Sequence, residues 1–204
     1  HLVFAPKGLK AFAQAMPKWL QSKLHPVAEL SQALDYPVAG RCFFVEHHRS
    51  HAASAFYPSP FTNAAVLTID GTGEWATTTL GVGDGDSLNL THEIRYPHSL
   101  GLLYSAFTHY TGFKVNSGEY KMMGLAPYGE PIFAQRIYDH LIDLKADGSF
   151  WLNMAYFNFG AGQTMTNDRF HDLMGGAPRV QGSSITQRHM DLAASIQSVT
   201  EEAM

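Results

Sequence analysis

The chain has 204 residues, enough for one large domain or parts of two, and its 45% hydrophobic and 16% charged content is ordinary for a soluble globular protein. A formal charge of −4 argues against non-specific nucleic-acid binding, which needs a basic face. No signal peptide and no membrane-spanning apolar run is visible, so the expected location is cytoplasmic, with neither nucleic acid nor membrane as a partner. The single cysteine, Cys42, permits no internal disulfide and reads, beside Phe43 and Phe44, as a small buried hydrophobe in a reducing compartment. The chain opens at His1 without an initiator Met and stops at Met204 inside a helical pattern. It is therefore expected to be a piece of a longer protein.

Residues 7–22 carry Leu9, Phe12, Ala13, Met16, Trp19 and Leu20 at a helical period, with Pro17 set to kink or split the helix. A second short helix is expected from Val27 to Leu34, then a turn at Tyr36-Pro37-Val38-Ala39-Gly40. Cys42–Val45 reads as a short buried strand and 48–56 as a helix whose alanines allow close packing. Three strands follow: a continuous apolar run at Ala64–Ile69, a threonine-rich one at Trp75–Val82, and Leu88–Arg95, whose alternation His92-Glu93 breaks. With Gly83-Asp84-Gly85-Asp86 as a hairpin turn, this is an antiparallel meander. Ser99 caps a helix to about Tyr110, which Gly112 stops. Short helices are expected at 118–125 and 132–144, and a strand at Ser149–Leu152. Residues 158–184 read as a long loop, and a closing helix at 186–203 turns Met190, Ala193, Ala194 and Ile196 inward. The pattern as a whole is α/β, with an α+β mixed sheet.

Three groups of residues carry chemistry. His47 and His51 are four apart, so a helix stacks them on one face. The bland alternative is a pair of surface histidines. A zincin is excluded, because the residue after the first histidine is His48 rather than Glu. Asp70 ends the apolar run and is followed by Gly71, Thr72 and Gly73, placing a carboxylate beside backbone N–H groups at Gly71 and Gly73 and the Thr72 hydroxyl, donors suited to phosphate or carbamoyl oxygens. The alternative there is a plain Asp-Gly hairpin turn. Two imidazoles and that carboxylate make a site for a divalent metal with open positions. The third group is Gly118-Glu119-Tyr120-Lys121 with Pro127-Tyr128-Gly129, either a solvated helix start and a C-terminal turn, or a contact with Glu119 on ribose hydroxyls and Lys121 on a phosphate or carboxylate, which spacing alone does not propose.

With these residues in view, the chain resembles the O-carbamoyltransferases of the nodulation-factor and antibiotic-biosynthesis type. The matching runs are His47 to Phe56, Thr68 to Thr77, Pro97 to Tyr104 and Asn116 to Gly129. The His-x-x-x-His is similar to that of the tRNA threonylcarbamoyladenosine synthases. The resemblance implies a ribonuclease-H-like, actin-like (sugar-kinase superfamily) architecture, incomplete here, with residues 1–63 the end of the first half and 64–204 the start of the second. It implies two steps: carbamoyl phosphate and ATP give carbamoyladenylate in a separate domain, and the actin-like domain then carbamoylates a hydroxyl of a small-molecule acceptor, a sugar or natural product. It maps the metal ligands to His47, His51 and Asp70, with iron implied and zinc or manganese as alternatives. It maps donor contacts to Gly71, Thr72, Gly73, Gly118, Glu119, Lys121 and Gly129. His48 and Glu74 stand near enough to be candidates for deprotonating the acceptor. Segments that complete the site in the family, including a phosphate-binding turn, a Gly-Gly-rich stretch with a further Asp ligand, and the adenylate-forming domain, are not found, so the piece alone is expected to be inactive. The alternatives are an actin-like ATPase or kinase without carbamoyl transfer, which would use Mg²⁺ on acidic residues, and a non-catalytic binding domain.

Overall fold

The computed structural model describes residues 5–161 and 164–204, and these divide into two compact units, 5–45 with 159–161, and 46–158 with 164–204.

The first unit is helical. Helix α1 spans Leu9–Lys18 with Pro17 inside it, and the chain continues through one π-helical turn, Trp19–Lys23. A proline lacks the N–H for the regular ladder, and a widened turn next to it absorbs the mismatch. Helix α2, Pro26–Ala33, starts on a proline, the residue best suited to a first helical position. Cys42–Val45 is not the buried strand expected: the segment is irregular, with Phe43 92% and Phe44 76% exposed and Cys42 half-buried. An apolar run alone does not specify a strand, and among the described residues no neighbour pairs with this one.

The second unit is mixed α and β. Helix α3, His47–Phe56, lies on an antiparallel sheet of β1 (Asn63–Gly73), β2 (Ala76–Asp84) and β3 (Ser87–Arg95), in the order β1-β2-β3. Ala52 and Phe56 of the helix pack on Val66 and Leu88, with Ala53, Ala64 and Leu90 around them. The Phe56 ring reaches the sheet because position 83 is glycine: a Cβ there would lie 2.5 Å from the ring. The break at His92-Glu93 is a bulge. Leu80 pairs with His92 but Gly81 with Leu90, leaving Thr91 extra.

A second layer of helices surrounds α8 (Gln187–Ala203) and contains α4 (Leu100–Tyr110), α5 (Glu119–Leu125), α6 (Ala134–His140) and α7 (Asp168–Met174). Leu103, Phe107, Tyr110, Met122, Ile137, Phe170, Met174, Leu192, Ile196 and Val199 are fully buried in it. The inward face of α8 differs by one position from that expected: Leu192 is buried and Met190 only half-buried. Two further expectations fail. The helix over 132–144 ends at His140, and Ile142–Leu144 is instead β4, paired antiparallel with β5 (Phe150–Leu152). The stretch 158–184 contains α7, capped by the Asn167 side chain, which accepts the Phe170 N–H, and closed by Gly175 at φ +86°. Gly162 and Gln163 of that stretch lie outside the described residues. Among the described residues no helix is long and apolar enough to cross a membrane.

Candidate functional site

Helix α3 begins at His47 and presents His47 and His51 on the face toward β1. Asp70 is not at the end of its strand, as its glycines suggested. β1 continues to Gly73, and its pairing with β2 is broken between Ile69 and Gly73, so that Asp70, Gly71 and Thr72 form an irregular bulge before a turn at Glu74-Trp75. Freed from the pleat, the Asp70 carboxylate reaches the helix. Its Oδ2 lies 2.6 Å from His47 Nε2 and 3.4 Å from His51 Nε2, and the two Nε2 atoms are 2.9 Å apart. The other oxygen, Oδ1, accepts the Gly71 N–H at 2.6 Å. Burial pushes the Asp70 carboxyl up, but the hydrogen bonds from His47 and Gly71 outweigh it and hold Asp70 below the usual carboxylate range.

His47, His51 and Asp70 are the three residues whose ligating atoms converge among the described residues. Donor atoms around a first-row cation at about 2.1 Å stand roughly 3.0 Å apart along an octahedral edge and roughly 3.4 Å along a tetrahedral one. The observed triangle has two edges in that range, 2.9 and 3.4 Å, and a third of 2.6 Å, the His47–Asp70 hydrogen bond, which must open slightly around a cation. Side-chain exposures of 44%, 53% and 34% leave the triangle open on one side. The donor set, two imidazoles and a carboxylate, suits iron, zinc or manganese.

Gly73 makes room for this arrangement, since a Cβ there would sit 2.3 Å from His47 Cδ2. From the other side the start of α4 packs on the bulge. A Cβ on Gly101 would lie 2.7 Å from the Asp70 carbonyl oxygen, and the Ser99 hydroxyl stands 3.0 Å from that oxygen and 2.7 Å from the Gly71 carbonyl oxygen. The sequence marks Ser99 as a helix cap, which it is, accepting the Leu102 N–H. Its contact with Asp70, 29 positions away, leaves no local signal.

The remaining predicted residues are dispersed around the second unit. Asp70 and Gly71 share a cavity of about 370 Å³ with Tyr104, Ser105, Asn116 and Glu119. Glu119 accepts from the Ser105 hydroxyl and from the N–H groups of Asn116 and Gly118. Burial pushes its carboxyl up, and those hydrogen bonds prevail to keep it below its ordinary value. Burial, with the charges of Glu119 and Glu201, pushes the Tyr104 phenol up to about 12, so it stays protonated and is no base at neutral pH. Lys121 is exposed, with its ammonium 5.8 Å from the Tyr120 ring, and does not line this cavity. Gly118 and Gly129 are sites of close packing. A Cβ on Gly118 would meet the Lys114 carbonyl oxygen at 2.7 Å, and one on Gly129 the Met190 carbonyl oxygen of α8 at 2.1 Å.

His48 faces away from the triangle, 4% exposed. Its Nε2 lies 2.9 Å from the Ala76 carbonyl oxygen, which only accepts, so Nε2 carries the proton. The neutral ring then accepts at Nδ1 from the Thr68 hydroxyl at 2.5 Å, and Thr68 in turn accepts from Thr79 at 2.7 Å. Burial lowers the His48 pKa. This ring is committed to holding α3 on the sheet. Glu74, at φ +58°, is exposed at the hairpin tip and lines a second cavity of about 480 Å³ with Glu46, Arg49, Gly73, Trp75 and His92. Thr72 is exposed beside the triangle.

The family described as "Carbamoyltransferase N-terminus" matches residues 1–204. The chain belongs to that family. It is 59% identical over 212 residues to an uncharacterised protein of Synechocystis sp., covering 100% of this chain and 34% of that protein. It is 37% identical over 161 residues to "Nodulation protein NolNO" of Sinorhizobium fredii, covering 79% of this chain and 22% of that protein. It is 31% identical over 159 residues to "Nodulation protein NolO" of Bradyrhizobium diazoefficiens, with 77% and 26% covered. The chain thus spans about a third or less of these relatives, and its likeness to carbamoyltransferases is a family membership.

Proposed function

We propose that the chain forms part of an O-carbamoyltransferase and contributes three ligands, His47, His51 and Asp70, to a divalent metal at the transfer site. The observation that carries this reading is the convergence of His47 Nε2, His51 Nε2 and Asp70 Oδ2, with edges of 2.6, 2.9 and 3.4 Å, in a member of the carbamoyltransferase N-terminus family. A cation held there supplies Lewis-acid polarisation of the carbamoyl carbonyl and neutralises an adjoining phosphate. Imidazole ligands favour iron, zinc or manganese over the Mg²⁺ of kinases that share an actin-like fold.

The protein's own residues bind and orient. The cavity of about 370 Å³ beside Asp70 takes the carbamoyladenylate made from carbamoyl phosphate and ATP, with Glu119 on the ribose side. Glu119 is ionised and fixed by three donors, so it accepts from ribose hydroxyls without rearrangement. The Gly71 N–H orients the Asp70 carboxylate, leaving donor binding to other groups. The acceptor is a small molecule with a free hydroxyl, and Glu74, which lines the separate cavity of about 480 Å³, is the carboxylate assigned to take its proton. Under this reading residues 1–63 and 64–204 belong to the two halves of an actin-like domain completed by other parts of the polypeptide, and this chain alone does not turn over.

The test is transfer of label from isotope-labelled carbamoyl phosphate, with ATP, to hydroxylated acceptors by the full-length protein and its His47→Ala variant. The reading predicts label transfer and its loss in the variant. Equal transfer by both, or ATP hydrolysis with no carbamoylated product under any acceptor, contradicts it.

A further inference from the structure

We propose that Ser99 is a positioning residue for Asp70, and that Ser99 and Gly101 together lock the one peptide unit on which the orientation of that carboxylate depends. The proposal rests on the metal reading above. Ser99 is completely buried. A serine that only caps a helix needs an acceptor oxygen, and Ser99 supplies it to the Leu102 N–H at 3.0 Å. Its hydroxyl proton remains, and it points between the carbonyl oxygens of Asp70 and Gly71 at 3.0 and 2.7 Å. Both carbonyls lie in the bulge, where the strand ladder with β2 is interrupted.

The peptide unit between Asp70 and Gly71 is thereby held at both ends. Its carbonyl oxygen faces the Ser99 hydroxyl, and its N–H donates to Asp70 Oδ1 at 2.6 Å. Only while that N–H holds Oδ1 does Oδ2 face His47 at 2.6 Å. Gly101 closes the remaining freedom, because α4 approaches so near that a Cβ there would lie 2.7 Å from the Asp70 carbonyl oxygen and 2.8 Å from the Gly71 nitrogen. Rotating the peptide plane breaks the Ser99 contact and the Gly71–Asp70 contact together. The N-terminal turn of α4 therefore sets the aim of Asp70 from a distance of 29 residues in sequence.

The test compares Ser99→Ala, Ser99→Thr, Gly101→Ala and a control, Asn167→Ala, which removes an equivalent cap from α7 away from the triangle. Two readouts are taken at one neutral pH: the imidazole ¹⁵N shifts of His47 in metal-free protein, which report its hydrogen bond to Asp70, and the Zn²⁺ dissociation constant by chelator competition. Ser99→Ala is expected to move the His47 signals and weaken Zn²⁺ about 10- to 100-fold. Ser99→Thr is expected to restore both, and Asn167→Ala to leave both unchanged. Unchanged His47 signals in a folded Ser99→Ala protein overturn the proposal, as does an equal loss of Zn²⁺ affinity in Asn167→Ala. If Ser99→Ala does not fold, Gly101→Ala decides in the same way, since it keeps the hydroxyl and displaces the peptide. An unaltered chain that takes up no Zn²⁺ counts against the metal reading, and the ¹⁵N comparison then judges Ser99 by itself.

Discussion

Adjacent in sequence, His47 and His48 do opposite jobs: His47 Nε2 meets Asp70 Oδ2 at 2.6 Å on an open face, and His48 Nδ1 meets Thr68 Oγ1 at 2.5 Å inside the sheet. One helical step of 100° separates a ligand from a structural strut. Replacing each by alanine should therefore split stability from metal binding. His48→Ala strands the Ala76 carbonyl and the Thr68–Thr79 hydroxyl pair, and should cost about 2–3 kcal/mol in urea unfolding with Zn²⁺ uptake retained in the folded fraction. His47→Ala should cost no more than about 1 kcal/mol and abolish tight Zn²⁺ binding. The reverse pattern would mean the two roles have been exchanged.

Gly73 offers a second test. Gly73→Ala places a methyl 2.3 Å from His47 Cδ2, so the imidazole must rotate out of the triangle. Zn²⁺ affinity should fall at least about 10-fold, as when a ligand's support is lost, and the melting temperature should fall too, since the methyl would also lie 2.9 Å from His47 Cβ, which rotation of the ring does not move. Chelator competition beside a melting curve checks this. An unaltered affinity would show that His47 is not held where described.

Much of this was readable from the chain and some of it was not. The meander follows from β-branched runs between glycine turns, and the α4 cap from Ser99 ahead of an apolar helix. Pairing partners are what the sequence leaves open. Cys42–Val45 has strand composition but no neighbour, and Ile142–Leu144 continues a helical pattern but pairs with Phe150–Leu152. Helix α7 carried its own signals, Asn167 before it and Gly175 after it, inside a stretch whose composition reads as loop. At the site, His47, His51 and Asp70 were legible because helical spacing and a strand–glycine junction are local patterns. The bulge that aims Asp70, and the grip of Ser99 and Gly101 on it, arise from packing between segments remote in sequence. Gly118 and Gly129 show the converse: glycines in a family motif that sit against backbone rather than in the cavity beside Asp70.

Gly129 gives that last point a test. Gly129→Ala would bring a methyl within 2.1 Å of the Met190 carbonyl oxygen and push the turn after α5 off α8. Backbone atoms yield less easily than a side chain, so a loss of about 1–3 kcal/mol is expected, with the Zn²⁺ dissociation constant of the folded protein unchanged. A stable variant with a selective loss of nucleotide binding in the full-length protein would restore Gly129 to the donor site.

Stability should also fall on mild acidification. Burial holds His48, His98, His109 and His189 below their ordinary value of 6.5. The unfolded chain takes up those protons near 6.5 while the folded chain resists them, so stability is complete above that pH and declines as the pH drops toward the folded values. Asp70 and Glu119, held below their ordinary 3.8 and 4.5, add their loss only in stronger acid. Melting temperatures at pH 7.5 and 5.5 should differ, with the lower at 5.5, and equal values would show that these rings are solvated in the folded chain.

The most direct measurement is X-ray absorption at the metal edge on Zn²⁺- or Fe²⁺-loaded protein, alone and as Asp70→Asn and His51→Ala. The account predicts one bound ion per chain, with two imidazole nitrogens and a carboxylate oxygen at about 2.0–2.2 Å and one imidazole lost in His51→Ala. A spectrum without imidazole scattering, or identical spectra from the native chain and both variants, would contradict it.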